Sequence, residues 1–322
     1  MRVPPLRGRA MPHNPLAALL AEDRCLVLDG ALATELERRG CDLADPLWSA
    51  KILLEQPQLI RQVHQDYFAA GAQCAITASY QATPQGFAAR GIDLAQAQRL
   101  IARSVELAQQ ARQDHLALHP QAGTLLVAGS VGPYGAFLAN GAEYRGDYVL
   151  APARMRAFHH PRIAALVAAG VDLLACETQP SLAEMAALLE VIEAFPQTVA
   201  WFACTLRDPM HLSDGTPLRD VVALLDGHPQ VVALGVNCVA PSLVTAALRH
   251  LATLTRLPLV VYPNAGERYD ADRKCWQADG ADAGTLADHL AAWRAAGARL
   301  IGGCCRTTPQ DIAQLARRLA SS

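Results

Sequence analysis

Short apolar runs alternate with longer stretches in which apolar residues recur at helical spacing, and the alternation is regular from Cys25 to the end of the chain. The runs predict strands over residues 25–29, 74–77, 125–130, 173–177, 199–205, 231–238, 259–263 and 299–303. The stretches between them, rich in Ala, Leu, Gln, Glu and Arg, predict helices over 58–70, 94–117, 154–169, 182–194, 218–225, 243–254, 286–296 and 309–319. Three helices run into the same small-residue joint before the next strand, at Gly71, Gly170 and Gly297, where glycine stops a helix through a left-handed turn. Strands alternating with helices in this way define βα units around a parallel sheet. Eight such units with no Ser/Gly linker, charge block or low-complexity tract predict a single-domain (β/α)8 barrel, a TIM-type α/β fold, over residues 14–322. Residues 1–13, which carry Arg2, Arg7 and Arg9 among Pro4, Pro5 and Pro12, are expected to form a disordered extension.

In such a barrel the reactive groups collect at the carboxyl ends of the strands. Here those ends read Asp29-Gly30, Thr77-Ala78-Ser79-Tyr80, Ser130-Val131-Gly132, Glu177-Thr178, Thr205, Asn237-Cys238, Pro263-Asn264 and Cys304-Cys305. Nearly all are polar, and an unpaired buried polar group costs about 1–3 kcal/mol. One shared polar pocket accounts for them.

Cys238, Cys304 and Cys305 are the sharpest feature of that set. A zinc site with three protein ligands keeps a fourth position open for chemistry, whereas structural sites are closed by four. Adjacent strand residues point to opposite faces, so Cys304 and Cys305 converge only if the chain leaves the strand there, a turn assigned to Gly302 and Gly303. The alternative for any one buried cysteine is a small apolar core residue. Zn2+ on three thiolates lowers the pKa of an incoming substrate thiol, which suits alkyl transfer to sulfur. The helix predicted from Thr308 and Pro309 would aim its amide end at Cys304 and Cys305 and favour their thiolates. Cys25, Cys41, Cys74, Cys176, Cys204 and Cys275 show no paired spacing and are read as non-ligands.

Around the thiols, Asp29 and Glu177 are placed to bind an ammonium, and Thr77, Ser79 and the amides near Gly132 a carboxylate, the pattern of an amino-acid substrate. Each carboxylate has an ion pair or helix cap as its alternative reading. Trp48 and Tyr80 follow the first two strands, and an aromatic face attracts a cationic methyl donor, unless the two merely pack their loops onto the barrel.

Composition narrows the classes further. A net charge of -2 with 18% charged residues gives no basic stripe for nucleic acid. No run approaches the ~20 apolar residues that span a bilayer. Nine cysteines, several of them inside strand-like runs, point to a reducing cytoplasm rather than a disulfide framework. A monomer is expected.

Leu28-Asp29-Gly30-Ala31, Cys74 to Tyr80, Ala128 to Tyr134, Cys176-Glu177-Thr178, Gly235-Val236-Asn237-Cys238 and Gly302 to Pro309 together resemble the homocysteine S-methyltransferase family, from about Asn14 to the end and in the right order. The resemblance is to the bacterial S-methylmethionine-dependent branch. It implies that Cys238, Cys304 and Cys305 hold zinc, that Asp29 and Glu177 bind the homocysteine amino group, that Thr77 lies near its carboxylate, and that Asn237 supports the first ligand. It also implies transfer of a methyl from a sulfonium donor to homocysteine to form methionine, with S-adenosylmethionine a poorer donor. A betaine-dependent or selenocysteine methyltransferase is the nearest alternative, and a zinc or redox sensor without enzymatic activity the remote one.

Overall fold

Eight parallel strands follow one another around a barrel in the computed structural model, which describes residues 11–21, 24–266, 268–270, 275–277 and 284–321. They are β1 (Leu26–Val27), β2 (Cys74–Ile76), β3 (Leu126–Val131), β4 (Leu173–Gln179), β5 (Ala200–Cys204), β6 (Val231–Asn237), β7 (Leu259–Tyr262) and β8 (Ala298–Ile301). Each pairs in parallel with its neighbour, and β1 also pairs with β8. The ring closes through a parallel bridge between Leu28 and Cys74. The predicted single-domain (β/α)8 barrel is therefore the fold. Residues 1–10 of the predicted extension lie outside the described residues.

The outer helices are α1 (Pro57–Ala69), α2 (Leu94–Leu118), α3 (Pro152–Ala168), α4 (Leu182–Ile192), α5 (Leu218–Leu225), α6 (Pro241–Leu254), α7 (Leu286–Ala295) and α8 (Pro309–Ala320). Four begin with proline in the first turn, where its missing N–H costs no helical bond. α2, α7 and α8 begin with reciprocal capping boxes, Asp93 with Gln96, Thr285 with Asp288 and Thr308 with Asp311. Gly71, Gly170 and Gly297 adopt φ of 98°, 80° and 97°, the left-handed stop expected at those joints. The sequence pattern missed the antiparallel pair Leu206–Asp208 and His211–Leu212 after β5, whose runs are too short to carry a period.

Alternation along each strand sorts the core into two layers. On β5, Trp201 and Ala203 point into the barrel, while Ala200, Phe202 and Cys204 pack against the helices. A short helix, Leu16–Leu19, sends Leu16 in among the interior residues, so the barrel is packed rather than open. Trp201 donates its indole N–H to the Tyr262 hydroxyl at 3.0 Å, which satisfies the largest interior side chain and links the packed layer to the rim above it.

β6 and β7 approach most closely at Gly235, where an added Cβ would lie 1.8 Å from the Val260 carbonyl oxygen. No rotamer relieves a clash with backbone. Gly235→Ala is expected to cost on the order of 3 kcal/mol or more, as overpacking against a rigid neighbour does, measured as a fall in the midpoint of chemical denaturation.

Candidate metal centre and substrate pocket

The three thiols meet because two strand ends are pinned to the strand between them. The Cys238 N–H donates to the Tyr262 carbonyl at 3.1 Å and the Cys304 N–H to the Pro263 carbonyl at 2.8 Å, so the ends of β6 and β8 both hang from the end of β7. Cys238 sits at φ 54°, a left-handed conformation that costs a non-glycine residue energy and swings its side chain off the strand direction. The Cys304 Sγ lies 3.1 Å and the Cys305 Sγ 3.5 Å from the Cys238 Sγ.

Gly302 and Gly303 assist by a different route from the one expected. Neither is left-handed. A Cβ on Gly302 would meet the Leu28 Cβ at 2.6 Å, and one on Gly303 the Thr307 Oγ1 at 2.3 Å. They are needed for close approach, not for turning.

The thiols form the floor of a cavity of about 330 Å3. Asp29, Trp48, Thr77, Tyr80 and Glu177 all line it, and so do Glu143, Tyr144 and Tyr262, which the sequence reading missed. Glu143 and Tyr144 lie in the long connection after β3, in a 3-10 turn (Ala142–Tyr144), where no periodicity draws the eye; its concentration of Tyr, Gly and acidic residues is the available signal. The Tyr144 hydroxyl lies 3.4 Å from the Cys238 Sγ. Asn237 does not line the cavity. Its Oδ1 accepts the Thr178 N–H at 2.7 Å and its Nδ2 donates to the Thr178 Oγ1 at 2.9 Å, which clamps Thr178 at φ 59° and so aims the neighbouring Glu177.

Proton counting also redefines Thr77. Ser79 donates its one hydroxyl proton to the Ser130 carbonyl at 2.7 Å, so the 2.8 Å contact between the Thr77 and Ser79 hydroxyls uses the Thr77 proton. The Thr77 oxygen accepts the Ser130 N–H at 3.0 Å. Thr77 thus builds the wall and has no proton left to give a carboxylate.

The pocket is strongly acidic. Six carboxylates line it, those of Asp29, Glu37, Asp42, Asp45, Glu143 and Glu177, and no Lys or Arg is among the described lining residues. Burial raises the Asp29 carboxyl well above the usual range against the Ile76 N–H that it accepts, and the Glu177 charge adds to the rise. Burial likewise pushes Glu177 up to about 7, although Ser130 and Tyr262 bond to it. Among the thiols, Cys238 is held well below the thiol range by bonds from Cys304 and Cys305, which are raised in turn. The α8 terminus is capped by Thr308 as expected, but Cys304 and Cys305, whose thiolates it was expected to favour, are raised by their bonds to Cys238 and by burial.

Tetrahedral zinc with Zn–S bonds of about 2.3 Å requires sulfurs about 3.8 Å apart. From 3.5 Å and 3.1 Å, Cys305 and Cys304 would each have to draw away from Cys238 by less than an ångström, and all three Sγ atoms lie within 4.8 Å of one another. The donor set fits a thiophilic metal.

An eight-stranded barrel with three converging thiols over an acidic pocket is the frame of a metal-thiolate enzyme. The chain belongs to the homocysteine S-methyltransferase family, whose sequence profile matches residues 26–319. It is 66% identical over 306 residues to homocysteine S-methyltransferase of Escherichia coli (strain K12), covering 95% of this chain and 99% of that one. It is 49% identical to homocysteine S-methyltransferase YbgG of Bacillus subtilis (strain 168), with 94% and 97% covered. The crystal structure of the metallated form of the Escherichia coli homocysteine methyltransferase MmuM superposes with a TM-score of 0.87 at 64% identity, covering 95% of this chain and all of that one.

Burial of Glu177 fixes a pH dependence. The carboxyl keeps its proton to about 7 in the fold but only to about 4.5 when unfolded, so the native state binds the extra proton and stability falls as pH rises between those values. In metal-stripped protein, denaturation midpoints should decline across that window, and Glu177→Gln should make the decline shallower, with Glu143 and Asp29, raised by burial in the same direction, supplying the remainder.

Proposed function

We propose that the protein transfers the methyl group of S-methylmethionine to the sulfur of homocysteine, using zinc held by Cys238, Cys304 and Cys305. The observation that carries this reading is the meeting of three thiols with a pocket that has six carboxylates and, among the described residues, no lining cation. Bound there, zinc would supply a Lewis acid that favours the thiolate form of the acceptor at neutral pH.

The protein's own groups do the rest. Asp29 and Glu177, the second close enough to raise the pKa of the first, receive the acceptor's ammonium, whose charge offsets the repulsion between them. Asn237 acts one step removed, by holding the Thr178 turn that orients Glu177. Trp48 and Tyr80 meet edge to face with centroids 6.0 Å apart and present aromatic surface to the donor. A sulfonium gains about 0.5–2 kcal/mol from such faces without needing a hydrogen bond. In the reaction the acceptor sulfur forms a bond to the methyl carbon while the sulfonium C–S bond breaks, and its electron pair stays with the departing sulfur. The leaving thioether is neutral, so no acid has to protonate it.

Cys238→Ser, Cys304→Ser and Cys305→Ser are each expected to lower bound zinc, measured by elemental analysis, and to abolish methionine formation while circular dichroism stays unchanged. Full zinc and activity in all three would remove the metal assignment. In a donor panel at saturating homocysteine, kcat/KM should rank S-methylmethionine above S-adenosylmethionine, with glycine betaine nearly inert. Betaine ranking first would replace the donor and leave the thiol site standing. A preference for selenocysteine would replace the acceptor.

A further inference from the structure

Of the six carboxylates lining the pocket, five have visible occupations. Asp29 accepts the Ile76 N–H, Glu177 is bonded by Ser130 and Tyr262, Asp45 pairs with Arg90, Asp42 pairs with Lys51, and Glu37 lies in the field of Arg306. Glu143 is different. Its Oε2 is fully buried and has no hydrogen-bond partner. Arg145, the nearest cation acting on it, is engaged by Asp147 and by the Asn140 carbonyl.

Nothing in the local backbone explains that cost as a folding requirement. The turn carrying Glu143 is held by other means: Gly141 at φ 79° starts it, the Thr205 hydroxyl donates to the Glu143 carbonyl at 3.0 Å, and Tyr144 anchors its end against Cys238. These anchors set the Glu143 carboxylate in the pocket wall next to the residue that touches the thiol cluster, close enough to Tyr80 and Cys238 for their charges to be felt. Apart from its own backbone N–H, the half-buried Glu143 side chain has no bonding partner among the described residues, and its buried Oε2, set beside the thiol cluster and an aromatic face, is placed to meet a cation that arrives with the ligand.

We propose that Glu143 is the specificity-determining residue for the positive charge of the methyl donor, its carboxylate pairing with the cationic centre that carries the transferable methyl. The proposal rests on the methyl-transfer reading above. A sulfonium has no N–H to donate, so directional partners cannot select it; a bare charge and aromatic faces can. The assignment divides the labour among the acids: Asp29 and Glu177 face the acceptor's ammonium, and Glu143 faces the donor's charge. It also ties discrimination to charge rather than to shape, so a neutral molecule of the donor's outline should bind poorly.

The test compares S-methylmethionine with its uncharged carbon isostere, 2-amino-5-methylhexanoate, in which the sulfonium is replaced by CH. In Glu143→Gln the KM for S-methylmethionine should rise at least about tenfold, the range of a lost charge-assisted contact. The inhibition constant of the isostere, the homocysteine KM and the zinc content should stay within about twofold, because only the charge contact is removed. Glu143→Asp should recover part of the loss. The Tm of Glu143→Gln should hold or rise, because an unpartnered buried charge has gone. Equal loss for cation and isostere, no loss for either, or a fallen Tm would each overturn the assignment. If the protein uses glycine betaine instead, the same comparison is made between betaine and 3,3-dimethylbutanoate, so a wrong donor leaves the test of Glu143 intact.

Discussion

The site depends on one strand holding two others. β7 lies between β6 and β8, and its carbonyls at Tyr262 and Pro263 receive the N–H groups of Cys238 and Cys304. Sulfur positions are thereby set by backbone hydrogen bonds of a buried sheet, which are among the least movable contacts in a protein. The requirement propagates outward. It explains why Gly235 has no side chain where β6 presses on β7, and why Gly302 and Gly303 have none where the chain leaves β8. It also explains how a left-handed residue is tolerated at Cys238, since the surrounding ladder holds it there.

Above this rigid floor the electrostatics are deliberately incomplete. Carboxylates crowd the pocket with no lining cation among the described residues, and burial raises the pKa of Asp29, Glu143 and Glu177. Positive charge placed among them would relieve that crowding. Thr77, Ser79 and Ser130 contribute the opposite kind of feature, a closed chain of donors and acceptors that is complete without any ligand.

What the sequence reveals follows from where physical signals are periodic. Strand ends announce themselves because a buried apolar run that stops on Asp29, Glu177 or Cys238 is costly unless a pocket lies there. Glu143 and Tyr144 escape that logic, because they come eleven and more residues beyond the end of β3, in a connection without repeat. Asn237 and Thr77 stand at strand ends, but their hydrogen bonds cannot be read from residue type: the amide is spent on Thr178, and the hydroxyl on Ser79. The two glycines before Cys304 show the same limit, since freedom of φ and absence of a Cβ are one letter in a sequence and two different needs in a fold.

The barrel closes at its thinnest joint. β1 is only two residues long, and beyond it the ring is completed by the Leu28–Cys74 bridge, by the Asp29 N–H on the Cys74 carbonyl at 3.0 Å, and by the Asp29 carboxylate on the Ile76 N–H at 2.8 Å. The last stitch of the seam is therefore a side chain that also faces the pocket. Any ligand that draws on the Asp29 charge pulls on the same atoms that fasten the first strand to the second. Closure of the cylinder and the wall of the pocket thus share one carboxylate, and whatever takes up its charge acts on the seam of the barrel as well.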